Sequence, residues 1–328
     1  MNKLLPLALA PLLIGAAPAT PKPQSVNLPI LHVQVILDKL GFSPGTLDGK
    51  RGQSLTLALK GFQESRGLQT TGTIDKATLN ALLPFQAWRA VKSVTLNTGD
   101  IAGPFTWPFP KEPGDQAKLP GLYYKNALEA LAERFHTTNA TLIALNSPET
   151  QLKPGVQIIV PNALPTSRAY SVENKAWRAT LNSLNVQAVN PVAKRVVVDK
   201  SDGALRVYGE DDRLIAQFPA TMGSEHDPLP IGTWKILAAD TNPKFRYNPD
   251  LFWDAKPDDK KALLPAGPNG PVGVVWIDLN KPHYGIHGTP EPQTIGRTES
   301  HGCIRLTNWD AARLALMVKP GMEATFQP

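Results

Sequence analysis

The sequence predicts a multidomain α+β protein with a small three-helix bundle, a short α/β module, and a mostly β, sandwich-like domain over residues 193–328. A chain of 328 residues exceeds what one hydrophobic core usually supports, so two or three domains are expected. Apolar residues recur at helical spacing in the first half, with Gly and Pro as stops. From Arg195 the pattern changes to short β-branched runs separated by Asp-Gly and Asp-Asp turn signals, the signature of a β domain.

The chain opens MNKLLPLALAPLLIGAAPATPKP, with an apolar run from Leu4 to Ile14 and then Ala17-Pro18-Ala19. This pattern predicts a signal peptide over 1–19, cut after Ala19, and therefore an exported protein of the periplasm or cell wall. The run is shorter than the roughly 20 residues a spanning helix needs, and no later stretch is long and apolar enough to cross a membrane. Loss of Lys3 with the signal takes the formal charge from +6 to +5, since it is the one charged residue there. A modestly basic exported protein suits an anionic polymer as partner. Lys and Arg are scattered, with no stripe of the kind that binds nucleic acid. The 32 prolines favour short elements and loops.

Pro29 suits the first turn of a helix in which Val33, Ile36, Leu37 and Leu40 share a face, and Gly41 stops it. After the loop FSPGTLDGKRG, Leu55, Ala58, Leu59 and Phe62 define a second helix ended by Gly67. Asp75 is placed to cap a third with Leu79, Leu82 and Leu83. Residues 85–119, with Pro104, Pro108, Pro110 and Pro113, are expected as linker.

Over 120–162, Leu128, Leu131, Ala132 and Phe135 give a helical face. Thr138 or Asn139 caps a second helix holding Leu142 and Leu145, and Pro154-Gly155 turns into a strand over Val156–Val160. No opening strand or Gly-Asp turn stands near Leu122–Lys125. His136 is expected on a surface turn. Residues 163–192 are expected as a second linker, with Trp177, Leu181 and Leu184 as possible helix positions.

In the last domain RVVVD, ALRVY, LIAQFPATMG, GTWKIL and GVVWIDL read as strands. Asn242–Pro271, heavy in Pro, Asp and Lys, reads as a long loop that walls or covers a site. His226 lies in a solvated turn with Glu225, Asp227 and Pro228. Asn308 is placed to cap a helix with Leu314, Met317 and Val318, and Pro320-Gly321 turns into a final strand.

The chemistry concentrates in YGIHGTPEPQTIGRTESHGCIRL, which holds the single cysteine, Cys303. Exported proteins usually pair their cysteines, so a lone one points to reactivity rather than structure. A thiol attacks as thiolate and needs a base; His287, sixteen positions earlier, is the candidate. Backbone N–H groups at Gly302 and Cys303 can converge on an oxyanion, and His301 adds a donor or handles the acceptor. The same residues allow a second reading: His283-x3-His287 with His301-x-Cys303 has spacing a zinc ion accepts. On residue types alone both stay open.

LGFSPGTLDGKRG, ALKGFQESRGL and TGTIDKATLNALL resemble the peptidoglycan-binding domain of cell-wall enzymes, over 29–84. ALAERFHTTNATLIALNS with LKPGVQIIVPN resembles a LysM module. HGT followed by SHGCIRL resembles the L,D-transpeptidases (YkuD-type catalytic domain), over 193–328. That resemblance implies Cys303 as nucleophile, His287 as base, and the Gly288 carbonyl as the group orienting the imidazole. It implies attack on stem tetrapeptides, release of the terminal D-alanine and 3-3 cross-linking, acylation of Cys303 by carbapenems, and no cofactor or metal. L,D-carboxypeptidase activity, envelope-protein anchoring and non-catalytic wall binding are the alternatives. On the substrate side stand Arg305, positioned for a carboxylate, with His283 and Ser300, whose hydroxyl can also brace the cysteine turn. Leu229-Pro230-Ile231-Gly232 departs from the family's Thr-Pro-x-Gly, and Arg305 stands where many members carry asparagine.

Overall fold

The computed structural model describes residues 25–328; the expected signal peptide lies outside them. Among the described residues no helix is long and apolar enough to cross a membrane.

Helix α1 (Leu28–Leu40) starts where Asn27 accepts the Ile30 N–H and ends where Gly41 turns to φ 94°, the left-handed stop that Gly adopts most easily. With α2 (Gln53–Ser65) and α3 (Lys76–Leu82), capped by Asp75, it encloses Ile36, Leu37, Leu59, Phe62 and Leu82. Leu79 and Leu83, expected to face inward, are exposed. The inward stripe of α3 is Thr78 and Leu82, because Gln63 Nε2 donates to Thr78 Oγ1 at 2.7 Å.

The stretch expected as the first linker holds β1 (Val91–Thr95), which pairs antiparallel with β2 (Gln157–Pro161). Between them lie two single turns, α4 (Thr98–Ile101) and α5 (Pro113–Gln116), then α6 (Ala127–Arg134) and α7 (Asn139–Leu145), the last capped by Thr138. Leu96, Leu131, Phe135, Leu142, Ile158 and Val160 form one core. The unit thus begins at 91 rather than 120, and its opening strand is followed by Gly99-Asp100. Residues 102–126 leave the unit and brace the next domain: Leu122 N–H donates to Ala266 O at 3.0 Å and Asn269 N–H to Leu122 O at 2.9 Å. The second expected linker is also structural. It carries α8 (Lys175–Ser183), and Trp177, Leu181 and Leu184 join the core of the last domain.

That domain contains β3 (Arg195–Asp199), β4 (Ala204–Tyr208), β5 (Leu214–Pro219), β6 (Thr221–Met222), β7 (Gly232–Thr241), β8 (Phe245–Tyr247), β9 (Ala262–Leu264), β10 (Val275–Leu279), β11 (Gly285–His287), β12 (Ile304–Arg305), α9 (Asn308–Ala315) and β13 (Glu323–Gln327). Nine strands form one mixed sheet in the order β5-β4-β3-β13-β7-β10-β11-β12-β6, while β8 and β9 make a separate hairpin. The long β7 joins the two halves: its first residues register against β13 and its later ones against β10. Val196, Leu205, Phe218, Ile277, Ile286, Ile304 and Phe326, drawn from both halves, share one core with Trp309 and Leu314 of α9, which gives the sandwich-like arrangement. Thr307, not Asn308, caps α9, its Oγ1 accepting the Asp310 N–H at 3.1 Å.

The three units meet at a buried polar knot. Arg313 of α9 donates to the Asp38 carbonyl at 2.6 Å and to that of Lys39 at 3.2 Å, a cation at the C-terminus of α1. Ser43 Oγ donates to Asp310 Oδ2 at 2.8 Å. His136, far from being a surface residue, is buried, stacks on Trp309 at 4.9 Å, and donates from Nδ1 to Asp38 at 3.1 Å and from Nε2 to the Leu184 carbonyl at 2.7 Å. Both of its partners only accept, so the ring is an imidazolium. Burial works against that charge, but the Asp38 carboxylate outweighs it and the pKa is raised.

Candidate active site

Strands β11 and β12 run parallel, with Ile286 opposite Ile304 and His287 opposite Arg305. Side chains alternate across a strand, so the two isoleucines enter the core while His287 and Arg305 occupy the other face. Cys303 lies in the bend just before β12. The register thus puts the imidazole and the guanidinium on one surface, next to the cysteine turn.

The turn before β12 is held by Ser300. Its buried Oγ accepts the Gly223 N–H at 2.7 Å and donates to the Cys303 carbonyl at 2.6 Å. Gly302 has φ 89°, and a Cβ there would run into the ring of Tyr284; only glycine fits both the conformation and the contact. The thiol lies 3.6 Å from the His283 carbonyl.

His287 is 4% exposed. Its Nδ1–H donates to the Gly288 carbonyl at 2.7 Å, which leaves Nε2 as the ring's acceptor. Trp276, opposite it on β10, stacks on the imidazole at 5.5 Å and 17°. Burial pushes His287 down to about 4; the Gly288 hydrogen bond opposes this and the Arg305 charge adds to it. Burial pushes the Cys303 thiol up to about 11, against the Gly285 N–H and the Arg305 charge. Burial thus favours the neutral thiol at Cys303 and the neutral imidazole at His287.

The 242–271 segment is partly ordered as the β8–β9 hairpin. Its connecting loop brings Phe252, Trp253 and Asp254 over the cysteine turn. Asp254 Oδ1 accepts from His301 Nε2 at 2.9 Å, Phe252 meets the same ring edge-on at 5.0 Å, and Trp253 stacks on His226 at 4.3 Å.

The sequence-derived residues divide accordingly. Arg305 stands opposite His287 in the strand register, Gly288 holds the His287 ring, and Gly302 and His301 belong to the turn that carries Cys303 next to Arg305. Arg305 also reaches the Glu299 carbonyl at 3.4 Å. His283 is not on a strand with His287: it is an exposed turn residue at φ 69°, and only its carbonyl faces the thiol. Ser300, placed on the substrate side from sequence, is 3% exposed and has its hydroxyl engaged with backbone on both sides, so it braces the turn. Among the described residues no three His, Cys, Asp or Glu side chains are grouped as a metal ion would require. In the sequence Trp276 and Tyr284 look like ordinary strand and turn aromatics; the glycines they pack against, Gly285 and Gly302, are the signal that marks them.

Comparison with known proteins adds a second line of observation. Residues 193–325 match the L,D-transpeptidase catalytic domain, and residues 28–82 match a putative peptidoglycan binding domain. The putative L,D-transpeptidase YkuD of Bacillus licheniformis is 28% identical over 203 residues, 61% of this chain and 93% of that protein. A putative L,D-transpeptidase in the ATP synthase subunits region of Fuscovulum blasticum is 32% identical over 142 residues, 42% of this chain and 68% of that protein. A crystal structure of L,D-transpeptidase 3 from Mycobacterium tuberculosis in complex with a faropenem-derived adduct superposes with a TM-score of 0.35 at 20% identity, over 42% of this chain and 60% of that one.

Proposed function

The chain belongs to the L,D-transpeptidase family, and from that premise we propose that Cys303 is the nucleophile and His287 the base of a peptidoglycan L,D-transpeptidase that forms 3-3 cross-links. The observation that carries the reading is the 2.7 Å bond from His287 Nδ1–H to the Gly288 carbonyl. It sets the tautomer with a free lone pair on Nε2 and takes the place a carboxylate holds in other triads.

In the first half-reaction Cys303 Sγ attacks the carbonyl carbon of the third residue of a stem tetrapeptide while its proton passes to His287 Nε2. The Gly302 and Cys303 N–H groups are the donors assigned to the oxyanion. Collapse breaks the peptide bond, the proton goes from Nε2 to the departing D-alanine amine, and a thioester remains. In the second half the side-chain amine of another stem attacks the thioester. It gives its proton to His287, and sulfur recovers that proton as the C–S bond breaks. Arg305, next to the cysteine turn, suits a substrate carboxylate. The peptidoglycan-binding domain, together with the β1–β2 unit as a LysM-like module, would keep the enzyme on glycan strands of an exported, wall-associated protein.

Incubation with a carbapenem followed by intact-protein mass measurement tests the thiol. A covalent adduct is expected in the native protein and absent in Cys303→Ala. Purified tetrapeptide muropeptides test the acceptor: cross-linked dimers support transpeptidation, and tripeptides alone would replace it with carboxypeptidation.

A further inference from the structure

The orientation of His287 depends on one peptide carbonyl, and that peptide is itself held from behind. Gly288 N–H donates to the Val275 carbonyl at 3.3 Å. On its other side a Cβ at Gly288, or at Gly273, would overlap Asn308 Oδ1; the carboxamide of Asn308 is seated against both glycines. Asn308 is fully buried and uses its polar atoms completely. Its Oδ1 accepts the Val274 N–H at 3.1 Å, and its Nδ2 donates to the Pro268 carbonyl at 3.1 Å and to Glu133 Oε1 at 2.7 Å.

Capping does not explain this side chain, because Thr307 caps α9. Through Val274, Asn308 fixes the start of β10, the strand whose Val275 carbonyl holds Gly288 and whose Trp276 stacks on His287. Glu133 is contributed by α6 of the β1–β2 unit and is buried. A buried carboxyl is retained at a cost unless its hydrogen bonds are needed.

We propose that Asn308 is a positioning residue that aims the Gly288 carbonyl at His287 Nδ1, and that Glu133, from the middle module, holds Asn308 in place. This rests on the reading of His287 as the base. It makes the β1–β2 unit part of the catalytic apparatus as well as a binding appendage. Partners of this kind that orient a functional histidine typically change activity by about 10–100-fold when removed.

The test uses the mature chain and the variants Asn308→Ala, Glu133→Leu and Glu133→Gln. Two readouts are taken: the rate of Cys303 acylation by a carbapenem, and the His287 tautomer from nitrogen chemical shifts, assigned with a His287→Gln sample. Expected are a predominantly Nδ1–H tautomer in the native protein and in Glu133→Gln, which keeps an acceptor for Asn308 and acylates within about twofold of native. In Glu133→Leu and Asn308→Ala the tautomers mix and acylation falls about 10–100-fold, with the carbapenem concentration for half-maximal rate little changed. Glu133→Leu carries the test if Asn308→Ala does not fold. Native tautomer and native rate in Glu133→Leu, or equal loss in Glu133→Gln and Glu133→Leu, would overturn the inference. A native protein that no carbapenem acylates would count against Cys303 as nucleophile, while the tautomer comparison would still decide the role of Asn308.

Discussion

Ser300→Ala is the most direct probe of how the Cys303 thiol is presented. The hydroxyl links two strands' ends: it accepts Gly223 N–H at 2.7 Å and donates to the Cys303 carbonyl at 2.6 Å. Alanine removes both bonds and leaves a buried donor and a buried acceptor. Each such orphan costs about 1–3 kcal/mol. The neighbouring bond from Ser300 N–H to the Gly223 carbonyl at 3.1 Å survives, so a total of about 2–4 kcal/mol is expected. For a large domain, at about 2–4 °C per kcal/mol, that corresponds to a melting temperature lower by roughly 4–16 °C. Because the bond that the hydroxyl donates is to the Cys303 carbonyl, carbapenem acylation of Cys303 should also slow by about tenfold or more, as a displacement near 1 Å at a reacting group does. Ser300→Thr keeps the hydroxyl and should recover the rate better than the stability, since its extra methyl enters a filled site. Circular dichroism melts and time-resolved intact mass measure both quantities. A melting point within about 1 °C of native, with acylation within twofold, would refute the brace; a lower melting point with native acylation would refute its role in aiming the thiol.

With His287 near 4 and Cys303 near 11, acylation should be flat from about pH 5 to 10 and fall below that window as the base protonates. Arg305→Gln removes a positive charge that disfavours imidazolium, so the acid limb should move to higher pH; an unmoved limb would rule out that coupling. Stability should fall as pH rises from about 5 to 8. Burial, then Asp38's charge, pushes Asp310 to about 7, and burial pushes Glu133 to about 7. The folded state therefore holds protons there that the unfolded state has released, an effect on the order of 3 kcal/mol per acid at most. His136, raised when folded, acts in the same sense: its stabilisation is full below the unfolded value and is lost as pH passes the folded one. A melting point flat or rising over this range would contradict the buried cluster. Asp254→Ala should speed amide exchange in 245–264 by a few-fold, the worth of about one hydrogen bond to His301; unchanged protection would show that this contact does not hold the loop.

What the sequence disclosed follows from the range of each interaction. Helices α1 and α2 are readable because their caps and apolar periods are local, and the alternation that puts His287 and Arg305 on one face is likewise a property of two short strands. The β1–β2 unit was misplaced because its opening strand and α6 are separated by residues 102–126, which serve another domain. The polar knot was illegible in principle. His136 and Asp38 are 98 positions apart and Arg313 lies 275 from Asp38, so each looks like a surface residue until the fold supplies its partner. The same holds for Glu133 and Asn308. Ser300 is half legible: its short-range bond is local, but its burial depends on Gly223 at the end of β6, 77 positions upstream.

The docking of the helical bundle carries a different consequence. Gln217 N–H donates to the Gly41 carbonyl at 2.9 Å, Ser43 N–H returns to the Gln217 carbonyl at 2.8 Å, and Gln217 Nε2 reaches the Leu57 carbonyl at 2.6 Å. Leu214 of β5 belongs to the bundle's own core. The outermost strand of the sheet is thereby closed by a wall-binding module, and an open strand edge is where β proteins join one another. Removing the bundle, residues 28–82, would expose that edge, so the shortened chain should self-associate more than the full chain.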